Sequence, residues 1–143
     1  TKIEVIQIPT FQDYLKSGIR LKLMAAIDLT SSNKYIHNIP SDPKQTNLCQ
    51  QCIVSVVNAL TKYVSNNSIP VYGFDTYIFP LTLDMAKPEV NGLQGILDAY
   101  KCAIQKVKLG CDSKLAPIIK EAKEIAISDF NENKNYTILV IIT

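Results

Sequence analysis

Asp28, Thr30 and Ser32 stand at two-residue spacing directly after the apolar run Leu21–Ile27. That run reads as a buried strand, so the three side chains fall on one tight loop at its carboxyl end. A carboxylate and two hydroxyls are hard oxygen ligands. They suit Mg²⁺ or Mn²⁺, and three are too few to enclose the ion. In a sheet with helices on both faces, ligands bind outside the carboxyl ends of the strands, where this loop would lie. The same residue types also cap turns, so a purely local role for Asp28 and Thr30 stays open.

Other reactive groups offer less. Cys49-Gln50-Gln51-Cys52 has the spacing of a zinc or redox pair. Cys102 and Cys111 make no second close pair, and Cys49 and Cys52 fall inside an apolar helical pattern. Reduced structural thiols are therefore expected ahead of a zinc site, which favours an intracellular setting. On that pattern Cys52 lies on the buried stripe and Cys49 one step off it. His37, the only histidine, lies in a polar loop and is expected to face solvent or to hydrogen-bond there. Gly92-Leu93-Gln94-Gly95 lacks the lysine and hydroxyl of a phosphate loop. No serine sits in a nucleophile elbow. A metal-bound Asp28 could activate water, but a phosphohydrolase would want a second acid or base beside it, where this chain has hydroxyls. No catalytic residue is assigned; a binding module is expected ahead of an enzyme or an inert scaffold.

The elements that must position the loop follow from periodicity. Ile3–Ile8 alternates like an edge strand, and Phe11–Lys16 reads as a short helical turn closed by Ser17-Gly18. Asn33–Gln45 carries prolines and polar residues and reads as a loop. A helix is expected from about Asn47 to Val64, with Leu48, Cys52, Val56, Leu60 and Tyr63 as its buried stripe. Ile69–Phe74 is the next strand, Tyr77–Leu81 an edge strand compatible with Pro80, and Asp84–Gly92 irregular. A second helix runs over Leu93–Val107, with Leu93, Ile96, Leu97, Tyr100, Ile104 and Val107 on one face. Gly110–Ser113 interrupts, and a third helix runs from Leu115 to Ser128, capped by Asp112 or Ser113. Asn131–Asn135 is a polar turn. Tyr136–Thr143 has the pattern of a central parallel strand. Right-handed crossovers would bring the ends of Leu21–Ile27 and Tyr136–Thr143 to one edge.

Composition is consistent with that reading. The chain has 143 residues, 47% hydrophobic and 20% charged, which fits one globular domain with a real core. The net charge of +2 is too small to argue for nucleic acid, and the dispersed basic residues form no membrane patch. The apolar run Ile138–Ile142 is too short to span a bilayer. No signal-peptide pattern opens the residues given. The sequons at Asn66 and Asn135 are expected to be unused.

The wording of these blocks resembles a family. Asp28-x-Thr30-x-Ser32-Asn33 resembles the metal-ion-dependent adhesion site of von Willebrand factor A domains. Ala26–Asn33 resembles the copines in particular, and Thr10–Gly18, Val71–Phe74, Gly92–Tyr100, Leu115–Ile119 and Ile138–Thr143 are similar to copine blocks in the same order. The resemblance implies a three-layer, doubly wound α/β fold with a mainly parallel sheet, incomplete at its C-terminal end. It implies a single domain over residues 1–143, with 1–18 as a lead-in. The family's site carries over to Asp28, Thr30 and Ser32. Ser113 stands where a second loop normally supplies threonine. A third-loop aspartate would follow Thr143. The stretches at Asn33–Ile36 and Asp75-Thr76 look shorter than the family's.

What the resemblance implies is one Mg or Mn ion that takes an acidic side chain of a partner protein, with no nucleic acid. Asn33–Gln45 and Gly110–Lys114 would form the rim, and Lys34, Lys44 and Lys114 could steer acidic partners. A copine parent would be cytoplasmic and recruited to membranes by calcium-dependent lipid-binding modules outside this chain; calcium is expected only there. A RING-type ubiquitin ligase with a copine-type domain is the alternative parent.

Overall fold

The computed structural model describes residues 6–42, 44–64 and 66–143. In chain order the elements are α1 (Phe11–Lys16), β1 (Arg20–Asp28), a 3-10 helix (Ser31–His37), α2 (Leu48–Thr61), β2 (Ser68–Phe74), β3 (Ile78–Pro80), β4 (Glu89–Asn91), α3 (Gly92–Lys106), α4 (Leu115–Asn133) and β5 (Asn135–Ile142).

β1 is the axis of the sheet. It pairs in parallel with β2 on one side and β5 on the other, and β3 lies antiparallel beyond β2. β3 covers the carboxyl half of β2 and β4 covers its amino half. Alternation along β1 sorts the core into two layers. Leu23, Ala25 and Ile27 face Cys49, Ile53 and Val57 of α2 and Ile96, Tyr100 and Ala103 of α3. Met24 and Ala26, with Tyr72 and Phe74 of β2, face Ile118 and Ala122 of α4. Leu23, Met24 and Ile27 are fully buried; each such side chain contributes about 1.5–3 kcal/mol in removal from water. The result is an α/β fold with a mixed, mostly parallel sheet flanked by helices on both faces.

Helix starts follow local chemistry. Thr10 and Asp13 form a capping box at α1, and Asn47 and Gln50 form one at α2. α4 runs on to Asn133 and stops at Lys134, whose φ of 56° is left-handed. At the end of the sheet away from the Asp28 loop, Lys22 bridges Asp129 at 2.9 Å and Glu89 at 3.4 Å. Burial by itself lowers the Lys22 pKa, but the two carboxylates outweigh it and leave it raised.

Several expectations are corrected. The strand proposed at Ile3–Ile8 falls partly outside the described residues; Ile6 and Ile8 make no ladder and are exposed. The first part of the Asn33–Gln45 loop is the 3-10 helix. The stripe on α2 is one residue out of phase: Cys49, Ile53 and Val57 are buried, while Leu48, Cys52 and Tyr63 are exposed. The helix is apolar on most of its circumference, so spacing alone supported either phase. β4 occupies part of the stretch read as irregular. The polar segment Asn131–Asn133 continues α4 instead of turning. β5 is parallel as expected but borders only β1, so it is an edge strand among the described residues.

Candidate functional site

The parallel pairing of β1 with β5 runs in register to Ile27 and Ile142. Asp28 and Thr143 therefore leave the sheet side by side. Phe74, at the end of β2, accepts from the Leu29 amide at 2.8 Å, which carries the parallel ladder one step past Asp28. The chain between α3 and α4 closes the third side. Its Gly110 amide donates to the Leu29 carbonyl at 2.9 Å, and the Ser31 amide donates to the Gly110 carbonyl at 2.8 Å. A Cβ at Gly110 would lie 2.5 Å from Cβ of Asp75, so only glycine allows this approach.

All four expected site residues gather here. Oδ2 of Asp28 accepts from the Ser113 hydroxyl at 2.8 Å, and Oδ1 accepts from the Thr30 amide at 3.1 Å. Thr30 and Ser32 join their hydroxyls at 2.9 Å. Two further residues belong to the cluster. The Thr143 hydroxyl donates to Oδ2 at 2.7 Å, and the Asn33 amide donates to it at 3.0 Å. Asp28 and Thr30 are fully buried, while Ser32, Ser113 and Thr143 are exposed, so the cluster is closed at its base and open at its mouth. Ser113 does not cap α4, whose N-cap is Lys114 with no side-chain bond; its hydroxyl is spent on Asp28. Burial pushes the Asp28 carboxyl up, but the hydrogen bonds from Thr143, Ser113 and Thr30 outweigh it and hold it below 3.8.

The donor set fits a hard cation. It consists of one ionised carboxylate and hydroxyls from three chain segments, all oxygens. Among the described residues no three His, Cys, Asp or Glu side chains come together to hold a metal. An ion here would rest on a single carboxylate with neutral partners.

Behind the carboxylate lies a polar chain that the sequence did not reveal. His37 is buried, not solvent-facing. Its Nε2 lies 2.7 Å from the Asp28 carbonyl oxygen and its Nδ1 lies 2.8 Å from the Tyr100 hydroxyl. The Asn47 amide donates to the same hydroxyl at 3.0 Å. Burial lowers the His37 pKa against the opposing pull of Asp28. The four cysteines are free: Cys49 is buried, Cys52 and Cys111 exposed and Cys102 half-buried. Burial pushes the Cys49 thiol up to about 12. Lys34, Lys44 and Lys114 are exposed.

Asn33 follows the ligand motif directly, and Thr143 is the hydroxyl that ends an apolar strand on the same edge; those signals were in the sequence. For His37, Tyr100 and Asn47 there was none, because sixty-three residues separate His37 from Tyr100.

Comparison with known proteins bears on this geometry. The family profile described as Copine matches residues 35–143. Copine-D of Dictyostelium discoideum is 34% identical over 152 residues, covering 94% of this chain and 28% of that protein. Nicotinic receptor-associated protein 1 of Caenorhabditis briggsae is 31% identical over 156 residues, covering 98% and 24%. Protein BONZAI 2 of Arabidopsis thaliana is 35% identical over 150 residues, covering 94% and 25%. The chain spans about a quarter of the length of these curated relatives.

Proposed function

Because this chain belongs to the copine family, we propose that the cluster at Asp28 is a metal-ion-dependent protein-binding site. The observation that carries the reading is the convergence of the Ser113 and Thr143 hydroxyls, from two other segments, on one buried, ionised carboxylate that also holds the Thr30 backbone amide. Asp28, Thr30, Ser32 and Ser113 would hold the ion, with Thr143 beside them. A hydroxyl that donates to Asp28 keeps its lone pairs, so it can also serve as a ligand. A bound Mg or Mn ion would supply positive charge that one carboxylate does not cancel.

That residual charge favours a partner carboxylate over a neutral group. Exposed Lys34, Lys44 and Lys114 add to the attraction. Binding is favoured over catalysis because both ring nitrogens of His37 are engaged behind the loop, so the imidazole is not free to act as a base at the mouth. That one relative is called a nicotinic receptor-associated protein supports proteins as the class of partner. In the parent protein the domain would bring such partners to membranes through lipid-binding modules outside this chain. Among the described residues no helix is long and apolar enough to cross a membrane.

The test is titration of the chain with Mn²⁺, paired with capture of partners from a lysate in Mg²⁺ or EDTA. Wild type should bind one ion and retain partners only in Mg²⁺, and Asp28→Ala should lose both properties. Equal capture in all three conditions would leave a scaffold role instead.

A further inference from the structure

We propose that His37 is the positioning residue of the Asp28 loop, holding the main chain from which the ligand side chains project. The Asp28 carbonyl can only accept, so Nε2 of His37 carries the proton. Nδ1 is then an acceptor, and the Tyr100 hydroxyl donates to it. The Asn47 amide donates in turn to the Tyr100 oxygen. For the neutral ring, every polar group in this chain of contacts has a partner.

The contact acts at the right atom. Asp28 is the last residue of β1, and its carbonyl belongs to the peptide unit that joins it to Leu29. Fixing that carbonyl fixes the plane of the peptide from which the loop leaves the sheet. Thr30 follows and gives its amide to Oδ1 of Asp28. The other end of the relay is rigid. Tyr100 is fully buried in the middle of α3, and Asn47 caps α2 through a closed capping box. His37 closes the 3-10 helix that begins at Ser31, so the ligand loop is pinned at both ends: at Asp28 by the ring nitrogen and at Ser31 by Gly110. Ligand geometry depends on such outer contacts, and losing them typically weakens metal binding by about 10- to 100-fold.

This inference rests on the metal-binding reading for its affinity arm only. In metal-free buffer, amide hydrogen exchange at Leu29 and Ser31 is compared with Leu23 and Ala25, which sit mid-ladder and report global opening. His37→Ala should speed exchange at Leu29 and Ser31 by about tenfold more than at Leu23 and Ala25. His37→Gln should restore most of the protection, since its amide can donate to the Asp28 carbonyl. Tyr100→Phe leaves that bond in place and should have a smaller effect on the loop. Mn²⁺ affinity should follow the same order, falling at least about tenfold in His37→Ala. Uniform acceleration at all four amides in His37→Ala, with no rescue by glutamine, would make the role merely structural and overturn the proposal. Selective acceleration at Leu29 and Ser31 in His37→Ala, together with a wild-type chain that binds no Mn²⁺, would support the positioning role and sink the metal reading.

Discussion

Replacing Asp28 with asparagine tests whether the carboxylate is the hub of the cluster. Asp28 accepts from the Thr30 amide at 3.1 Å through Oδ1, and through Oδ2 from Asn33, Ser113 and Thr143 at 3.0, 2.8 and 2.7 Å. Asparagine keeps the shape but has one acceptor oxygen and an NH₂ group. If its oxygen takes the Oδ2 position, the NH₂ meets the Thr30 amide; if it flips, the NH₂ meets the Asn33 amide. Either way a donor faces a donor. Hydrogen bonds to a charged group contribute about 1.5–3 kcal/mol, against about 0.5–1.5 for neutral ones. Relief from burying a charge offsets part of that loss, leaving a net cost on the order of 2–4 kcal/mol.

The pH dependence gives the sign independently. The Asp28 pKa is lowered on folding, because the bonds from Thr143, Ser113 and Thr30 outweigh the opposing effect of burial. A carboxyl lowered in the fold contributes stability that is fully present above its unfolded value, near 3.8. That contribution is lost as pH falls through that value and the lower folded one. Urea denaturation in metal-free buffer at pH 7, 5, 4 and 3 measures both effects. Wild type should lose stability across that range, and Asp28→Asn should start lower and lose less. A difference at pH 7 under about 0.5 kcal/mol, typical of a surface change, or identical pH slopes in the two proteins, would refute the reasoning.

Gly110→Ala should destabilise the fold by about 1–3 kcal/mol, because the new methyl meets Cβ and Cγ of Asp75 at 2.5 and 2.6 Å. Chemical denaturation reads that cost, and a separate Mn²⁺ titration should show weaker binding, because Gly110 also ties down Leu29 and Ser31. Thiol labelling at pH 8 checks the phase of α2: exposed Cys52 and Cys111 should react promptly, while Cys49 stays silent until denaturant is added. Prompt reaction of Cys49 with protection of Cys52 would restore the phase first read from the sequence.

Local pattern sufficed wherever one element's own residues carried the signal. The apolar run ending at Asp28 marked β1, the spacing of Asp28, Thr30 and Ser32 marked one polar loop at its end, and Pro80 marked an edge strand. The five blocks in order marked the family. Right-handed crossover was enough to put the ends of Leu21–Ile27 and Tyr136–Thr143 on one edge, because chirality and strand direction do not depend on details of packing. That β5 lies directly beside β1 was decided by the sheet order. The phase of α2 was not legible, since Leu48, Cys49, Cys52, Ile53, Val56 and Val57 offer two apolar stripes. Packing against Leu23 and Ala25 selected the one with Cys49, Ile53 and Val57. Ser113 could equally have capped α4, and only the approach of Gly110 to Leu29 and Ser31 turned its hydroxyl to Asp28.

His37 marks the limit most clearly. Ile36 beside it packs against the core, but nothing in the local pattern marks the imidazole itself as turned inward. Its burial depends on Tyr100 and Asn47 arriving from two other helices, and each of those side chains has its own partner only when the other elements are in place. The sequence by itself determined the principal strands β1, β2 and β5, the helices α2, α3 and α4, and which residues could hold an ion, because those are properties of short stretches; the short 3-10 helix and β4 escaped it. Only the tertiary structure decided which donor meets which acceptor. Hydrogen bonds act over about 3 Å, and no spacing along one segment encodes a distance between three.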